Sequence, residues 1–230
     1  DISGTKNLLL YGPKGCQKLS LLKAAGNEIG IPMRVITGME FKEVVSEGGR
    51  EVIDKLFDEM RDMAPSVMVI SDIDKFAYDD IKSESERKVF ESFLNLMKDF
   101  EEVHNITLIA TSHYPDRLNT ELFERGRFEK RIYIPEPNFK RREELFEIRL
   151  DSVPTEEDID YSKLAEISKK YTSEDIKSCI EDAKIKALSR SEKERAKITQ
   201  DDLEESIKDT QSSMKEEMKE SSRRFKEEWD

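Results

Sequence analysis

Thiols are scarce in this chain: Cys16 and Cys179 are the only two in 230 residues. They stand far apart, with neither a second thiol nor a paired histidine nearby. That spacing excludes a disulfide framework and a zinc site, and makes a reducing, cytoplasmic compartment the expectation. Positive charge is also in deficit, with 39 Lys and Arg against 51 Asp and Glu and a net charge of -12. The excess repels a phosphate backbone, so nucleic acid is not expected as a main partner, and the acidity reads as a source of solubility. Long apolar runs are absent. No segment approaches the roughly 20 residues of a membrane span, and no signal-peptide pattern opens the chain. The first apolar run begins at Asn7, so close to the start that a further N-terminal portion is expected to precede it.

What the chain does have is alternation. Short apolar runs at Asn7 to Tyr11, Met33 to Ile36, Val67 to Ser71, Ile106 to Thr111 and Arg131 to Ile134 alternate with segments of helical period. Helices are expected near 19–29, 39–60 (interrupted at Gly48 and Gly49) and 84–101. The last carries Val89, Phe90, Phe93, Leu94, Met97 and Phe100 on one stripe. This is the pattern of a parallel sheet covered by helices, an α/β fold. After Pro135 and Pro137 no strand is evident. Thr172 before Asp175, and Thr199 before Asp202, read as capping-box starts of two helices. The expected division is an α/β domain over 1–138, a helical lid over 139–210 and a helical tail over 211–230. From residue 190 onward the chain is rich in both charges, with sparse apolar anchors, among them Met214, Met218, Phe225 and Trp229. This stretch reads as a solvated helix face, with docking of those anchors on a neighbouring subunit as the alternative.

Residues 11–20, YGPKGCQKLS, are the most informative segment. A loop of the form GxxxxGK[ST] cradles phosphate with backbone N–H groups, reaches it with Lys, and holds Mg²⁺ through the Ser/Thr hydroxyl. Gly12 and Lys18 fit this pattern, whereas Gln17 replaces the second glycine and Leu19 replaces the hydroxyl residue. The candidate phosphate-binding set is Gly12, Pro13, Lys14, Gly15, Cys16, Gln17, Lys18 and Leu19. Taken alone, a Gly/Pro/Lys-rich turn after an apolar run is more often only a turn.

Four segments in order resemble the AAA ATPase family over about 170 residues: LLLYGPKGCQK, APSVMVISDID, RGRFEKRIYIPEP and KKYTSEDI. Within it the chain is similar to the group of valosin-containing protein, the proteasomal ATPases and the katanin branch. Cys16 and the acidic tail favour the first of these, and RFEKRIYIP favours the last. The resemblance implies a P-loop NTPase-type fold with a parallel five-stranded sheet flanked by helices, followed by a small all-helical lid. It also implies a homo- or hetero-hexameric ring of AAA protomers, ATP or ADP held between neighbours, and protein substrates or adaptors as further partners.

Under that resemblance Lys18 contacts the terminal phosphates, an attraction of roughly 4 kcal/mol at about 4 Å and an effective dielectric near 20. A Cβ at Gln17 stands where backbone approaches phosphate. The alkyl group of Leu19 cannot serve a hydrated Mg²⁺, and Ser20 points about 100° away around the helix. Ser71 and Asp72 occupy the positions of an Asp-Glu pair, in which the first acid organises the metal shell and the second activates water. With Asp72 as the shortened base, a displacement near 1 Å can cost on the order of 10²-fold in rate. A register shifted by one residue leaves Ile73 in the second position, and either alignment loses one of the two acids. Ser112 stands at the sensor position, followed by His113, which reads as a loop residue because no carboxylate partner for it is identifiable in sequence. Ser173-Glu174 replaces a small Gly-Ala pair beside the adenine. In the segment Leu122 to Phe128, Glu124 takes the first arginine-finger position, Arg125 is displaced by one, and Arg127 matches the second; a surface ion pair is the plainer reading of Arg127. Counting from Phe41, the substrate-gripping aromatic of the central-pore loop falls at Val45 and the glycine after it at Glu47.

The function expected from these residues is that of a ring protomer for ATP-dependent protein remodelling, with catalytic candidates Asp72, Ser112 and Arg127. Its site is expected to bind nucleotide weakly, to hold Mg²⁺ poorly and to hydrolyse little, while an arginine is donated to a neighbour. A slow Mg-ATPase unfoldase and a non-catalytic interaction module are the alternatives.

Overall fold

A computed structural model of the chain describes residues 7–47, 50–102, 105–190 and 196–229. These fall into two compact units. Residues 7–12, 18–134 and 217–229 belong to one, and 13–17 and 135–216 to the other.

The first unit is built on strands β1 (Asn7–Tyr11), β2 (Met33–Thr37), β3 (Ser66–Ser71), β4 (Ile106–Ser112) and β5 (Lys130–Tyr133), which form one sheet in the order β2-β3-β4-β1-β5. All pairings are parallel; Leu9, for example, lies opposite Ala110 on one side and Arg131 on the other. Strands covered on both faces must be apolar on both, which is why β1, β3 and β4 read as continuous apolar runs. Side chains alternate between the faces. Leu9, Tyr11, Met68, Ile70 and Leu108 join one core with Phe41, Met60, Phe93 and Phe100, while Leu10, Val69 and Ile109 face the other way and meet Leu22.

Helix α1 (Lys18–Ile29) follows β1, and α2 (Gly38–Ser46) follows β2 through a reciprocal capping box in which Thr37 N donates to Glu40 Oε2 at 2.7 Å and Glu40 N to Thr37 Oγ1 at 3.1 Å. Helix α3 (Arg50–Asp62) precedes β3. The interruption expected at Gly48 and Gly49 lies outside the described residues. Phe41 is fully buried, 5.0 Å from Phe76 and 5.8 Å from Phe93 between ring centroids, and Val45 lies within α2 and packs against the same core. Val45 is therefore committed to packing. Helix α4 (Glu84–Glu102) buries the stripe read from its sequence.

Helix α9 (Glu216–Trp229) departs from the expectation of a solvated face. Its residues from Glu217 onward belong to the α/β unit. Phe225 meets Tyr11 edge-on at 4.9 Å and Phe123 at 5.1 Å, and Trp229 meets Phe123 at 4.9 Å with Arg131 over its ring at 5.4 Å. Asp116 accepts from Ser221 Oγ and pairs with Arg224 at 2.8 Å.

The second unit is helical, with α5 (Phe139–Leu150), α6 (Tyr161–Ile167), α7 (Ser173–Arg190) and α8 (Gln200–Asp209) around a core of Phe146, Leu164, Ile176, Cys179, Ile180 and Leu203. Both expected capping boxes form: Thr172 N donates to Asp175 Oδ2 at 2.8 Å, and Thr199 N to Asp202 Oδ2 at 2.9 Å. Burial pushes the Cys179 thiol up to about 12, with the charge of Asp182 adding to the effect. The thiolate is the reactive form. Iodoacetamide at mildly alkaline pH should therefore leave Cys179 unmodified in the folded protein and modify it after denaturation; rapid native-state labelling at Cys179, read by peptide mass, would contradict that burial.

Candidate functional site

Strands β3, β4 and β1 are neighbours, so their carboxyl ends stand side by side at intervals of about 4.8 Å. Ligands of open parallel sheets bind outside such ends. The residues that leave these three strands form one connected network. Lys18, only 4 % exposed, donates from Nζ to the carbonyl oxygen of Gly12 at 2.7 Å and lies 2.9 Å from Nδ1 of His113. The other ring nitrogen of His113, Nε2, lies 3.0 Å from Asp72 Oδ1. An ammonium group has only donors, so Nδ1 accepts and Nε2–H donates to Asp72. His113, one residue past the end of the middle strand, thus bridges the lysine that follows β1 and the carboxylate that follows β3.

Each member is held from behind. Asp74 Oδ1 accepts from Ser112 Oγ and from the His113 backbone N–H, both at 2.8 Å, and Ser112 Oγ accepts from Tyr114 N at 3.1 Å. Ser112 is fully buried with its hydroxyl spent in these bonds. Asp72 sits in the left-handed region at φ 56°, ψ 51°, which Asp tolerates better than most residues, and its N–H donates to Thr111 Oγ1 at 3.0 Å. Burial pushes the Asp72 carboxyl up, but the hydrogen bond from His113 and the charges of Lys18 and Lys75 outweigh it and hold the group below the ordinary carboxylate range.

A depressed folded-state value means that the ionised carboxylate stabilises the fold above its unfolded value, near about 3.9, and that this contribution is lost as pH falls through the lower folded value. Because the side chain is 38 % exposed, solvent screens the effect and keeps it modest. Asp72→Asn should accordingly cost stability at neutral pH, and the gap to the wild type should close in acid. Urea melts at neutral and strongly acid pH check this; an undiminished gap in acid would contradict the His113–Asp72 contact.

Leu19 packs against the apolar cluster of Leu10, Leu22, Val69 and Ile109, and Ser20 is exposed. Leu19 has no side-chain oxygen to offer in the place of the usual loop hydroxyl. Ser71 ends β3 and is buried, and it offers a neutral hydroxyl where an acid was sought. Among the described residues no group of three His, Cys, Asp or Glu side chains converges as a metal site.

Gly12 has φ 144°, and a Cβ there would lie 2.2 Å from the carbonyl oxygen of Ile134, a backbone atom that cannot swing away. Gly12→Ala should cost about 3 kcal/mol, or a fall in Tm of roughly 6–12 °C; a calorimetric scan that is unchanged would contradict this loop geometry.

The loop residues 13–17 group with the helical unit. Gly15, at φ 80°, packs so closely that a Cβ would fall 2.3 Å from Thr172 Oγ1, and its carbonyl oxygen accepts from Glu174 N at 3.3 Å. Cys16 is buried, with Sγ 4.0 Å from the Lys14 carbonyl oxygen, and Lys14 is exposed. Gln17 adopts φ 59°, the left-handed conformation natural to the glycine it replaces. Pro13 completes this segment. Ser173 is buried and Glu174 is exposed, paired with Lys177 at 3.3 Å.

The segment before β5 separates its two arginines. Arg127 donates from Nη1 to the Glu121 carbonyl oxygen and lies 3.1 Å from Glu124 Oε2, its side chain 16 % exposed. The plainer reading of Arg127, an ion pair, is thus what the geometry contains. Arg125 is exposed and has no ion pair among the described residues. Asn7 Nδ2, donating to the Gly126 carbonyl oxygen at 3.2 Å, ties the segment to β1.

Of the sequence candidates, Lys18 and Asp72 meet through His113 and Gly12 anchors Lys18, while Ser112 stands behind them. His113 is the residue that sequence reasoning missed. Its only signal was its place one residue beyond β4, the strand between β1 and β3.

The family model described as "ATPase family associated with various cellular activities (AAA)" matches residues 8–136. The chain is 32 % identical over 191 residues to Protein SAV of Sulfolobus acidocaldarius, covering 82 % of this chain and 24 % of that protein. It is 31 % identical over 191 residues to a Cell division cycle protein 48 homolog of Archaeoglobus fulgidus, covering 82 % and 26 %. It is also 31 % identical over 207 residues to the Proteasome-activating nucleotidase of Saccharolobus solfataricus, covering 87 % and 52 %. The chain therefore spans from about a quarter to about half of the length of these relatives. No helix among the described residues is long and apolar enough to cross a membrane.

Proposed function

The chain belongs to the AAA family of ATPases, and on that premise we propose that it is a ring protomer whose own nucleotide site has lost most of its hydrolytic chemistry while keeping its phosphate lysine. One observation carries this reading: Lys18 is buried and aimed at the strand ends, yet Leu19 is turned into an apolar cluster and Ser71 brings no carboxylate. Phosphoryl transfer depends on positioning and on neutralising developing charge. A site with the lysine alone holds phosphate but stabilises that charge poorly. ATP or ADP is then a weakly held ligand, and the ring partners are other AAA protomers, identical or not, acting on protein substrates or adaptors in the cytoplasm.

The trans role falls to the segment before β5. Arg127 is engaged by Glu121 and Glu124, which supports a part in shaping the segment; Arg125, exposed and unpaired among the described residues, is the arginine available to a neighbour's phosphates. Mixing the protein with a hydrolytically intact paralogue should raise ATPase rate per intact subunit. Unchanged rates at all mixing ratios would sink the trans role.

The ionised Asp72 beside Lys18 favours a second reading, a slow ATPase that runs on this acid. Phosphate release that vanishes in Lys18→Ala would favour it. A chain that serves only as an interaction module would show no thermal stabilisation by ATP, whereas a nucleotide at a hundredfold excess over its Kd adds about 2.7 kcal/mol.

A further inference from the structure

We infer that this pocket takes the terminal phosphate of a nucleotide without a divalent cation, and that His113, braced by Asp72, is the phosphate-contacting group that stands in for the metal. The inference rests on the nucleotide-binding reading above and names a binding residue for it.

Magnesium asks for oxygen ligands in near-octahedral array. The two protein groups that would organise it are replaced by hydrocarbon at Leu19 and a neutral hydroxyl at Ser71, and the two carboxylates nearby are already engaged, Asp74 by Ser112 and the His113 N–H and Asp72 by the His113 ring. The donor set does not fit the ion. In its place the fold puts an imidazole 2.9 Å from the phosphate lysine and 3.4 Å from the Gly12 carbonyl oxygen, with a carboxylate 3.0 Å behind it. A surface histidine would need no such support. A carboxylate on the far nitrogen of an imidazole fixes its orientation and stabilises the ring when it carries a proton.

The exchange on binding balances. An incoming phosphate oxygen takes the N–H that Lys18 now gives to Nδ1. The O–H of a singly protonated terminal phosphate, or a solvent proton, then supplies Nδ1 with the hydrogen it donates to the phosphate. The result is Lys18 and a protonated His113 against the anion, with Asp72 behind the ring and no other bond made or broken. The charged groups shown against His113 are Lys18 from α1, Asp72 just past β3 and Asp74 in the short turn that follows, with Lys75 of that turn acting on Asp72 and Tyr114 next in the chain. Two cations near the phosphate supply charge that magnesium would otherwise bring.

The test is calorimetric titration of the full chain with ATP, and separately with inorganic tripolyphosphate, in magnesium and in EDTA. The expected result is that Kd for ATP agrees within about threefold in the two buffers, and that His113→Ala weakens both ligands about tenfold while the melting transition persists. His113→Gln, which keeps a donor but cannot carry charge, should lose about threefold, so a misfolded alanine variant does not decide the matter. Magnesium that tightens ATP binding by more than about tenfold, or histidine variants that bind as the wild type does, would overturn this inference and leave the nucleotide-binding reading standing. Wild-type protein that binds neither ligand in either buffer would overturn both.

Discussion

Phe225→Ala is expected to cost about 3–5 kcal/mol, because the ring is almost fully buried and its removal leaves a cavity among its neighbours. Three aromatic partners surround it: Tyr11 at the end of β1, Phe123 before β5, and Trp229 one turn further along α9. Aromatic pairs at such separations add about 0.5–1.5 kcal/mol each beyond the area they bury. Against a total stability of roughly 5–15 kcal/mol, the loss is a large fraction. It should appear as a fall in Tm of roughly 6–20 °C. The same variant should release α9, so that trypsin cuts at Arg223, Arg224 and Lys226 in the otherwise folded protein. A loss under about 1 kcal/mol, with the tail still protected, would mean that the helix is not docked where its aromatics place it.

The second large effect concerns Arg125. An arginine that reaches a transferring phosphoryl group in trans is worth about 10³–10⁵ in rate. In mixtures with an intact paralogue, Arg125→Ala should therefore remove the stimulated ATPase by about 10³-fold, to the unmixed rate. Arg127→Ala should act differently. Its guanidinium serves Glu121 and Glu124, so its loss loosens the segment and lowers stability together with stimulation. Glu124→Gln separates the two ideas: it frees one tie on Arg127, and if Arg127 were the donated group, stimulation would rise. Full stimulation retained in Arg125→Ala and lost in Arg127→Ala without a change in melting would move the role back to Arg127.

Much of this molecule was legible in its sequence where the physics is local. Strands β1, β3 and β4 were found within a residue of their ends because a doubly covered strand leaves an unbroken apolar run. Thr172 and Thr199 announced their helices because a cap is a contact between residues three apart. Helix α9 was misjudged for a reason of the same kind. Its buried positions, Met218, Ser221, Ser222 and Phe225, do follow a helical stripe, but two of the four are serines that no hydropathy pattern marks as core. Ser222 closes its hydroxyl onto the Met218 carbonyl oxygen at 3.0 Å, which lets it enter an apolar contact. His113 is not legible in the sequence because its partners, Lys18 at the start of α1 and Asp72 just past β3, come beside it only when the sheet is ordered β3-β4-β1. Arg127 matched a motif position, and its capture by Glu121 and Glu124 depends on how the turn folds back.

The central claim is that a phosphate lysine survives here in a site without the means to hydrolyse. Phosphate release by the purified protein at saturating ATP and magnesium, compared between wild type and Lys18→Ala, tests it most directly. The expected result is a wild-type rate indistinguishable from that of the variant. Turnover on the order of 1 s⁻¹ or faster, within the ordinary range of enzymes and abolished by Lys18→Ala, would contradict it.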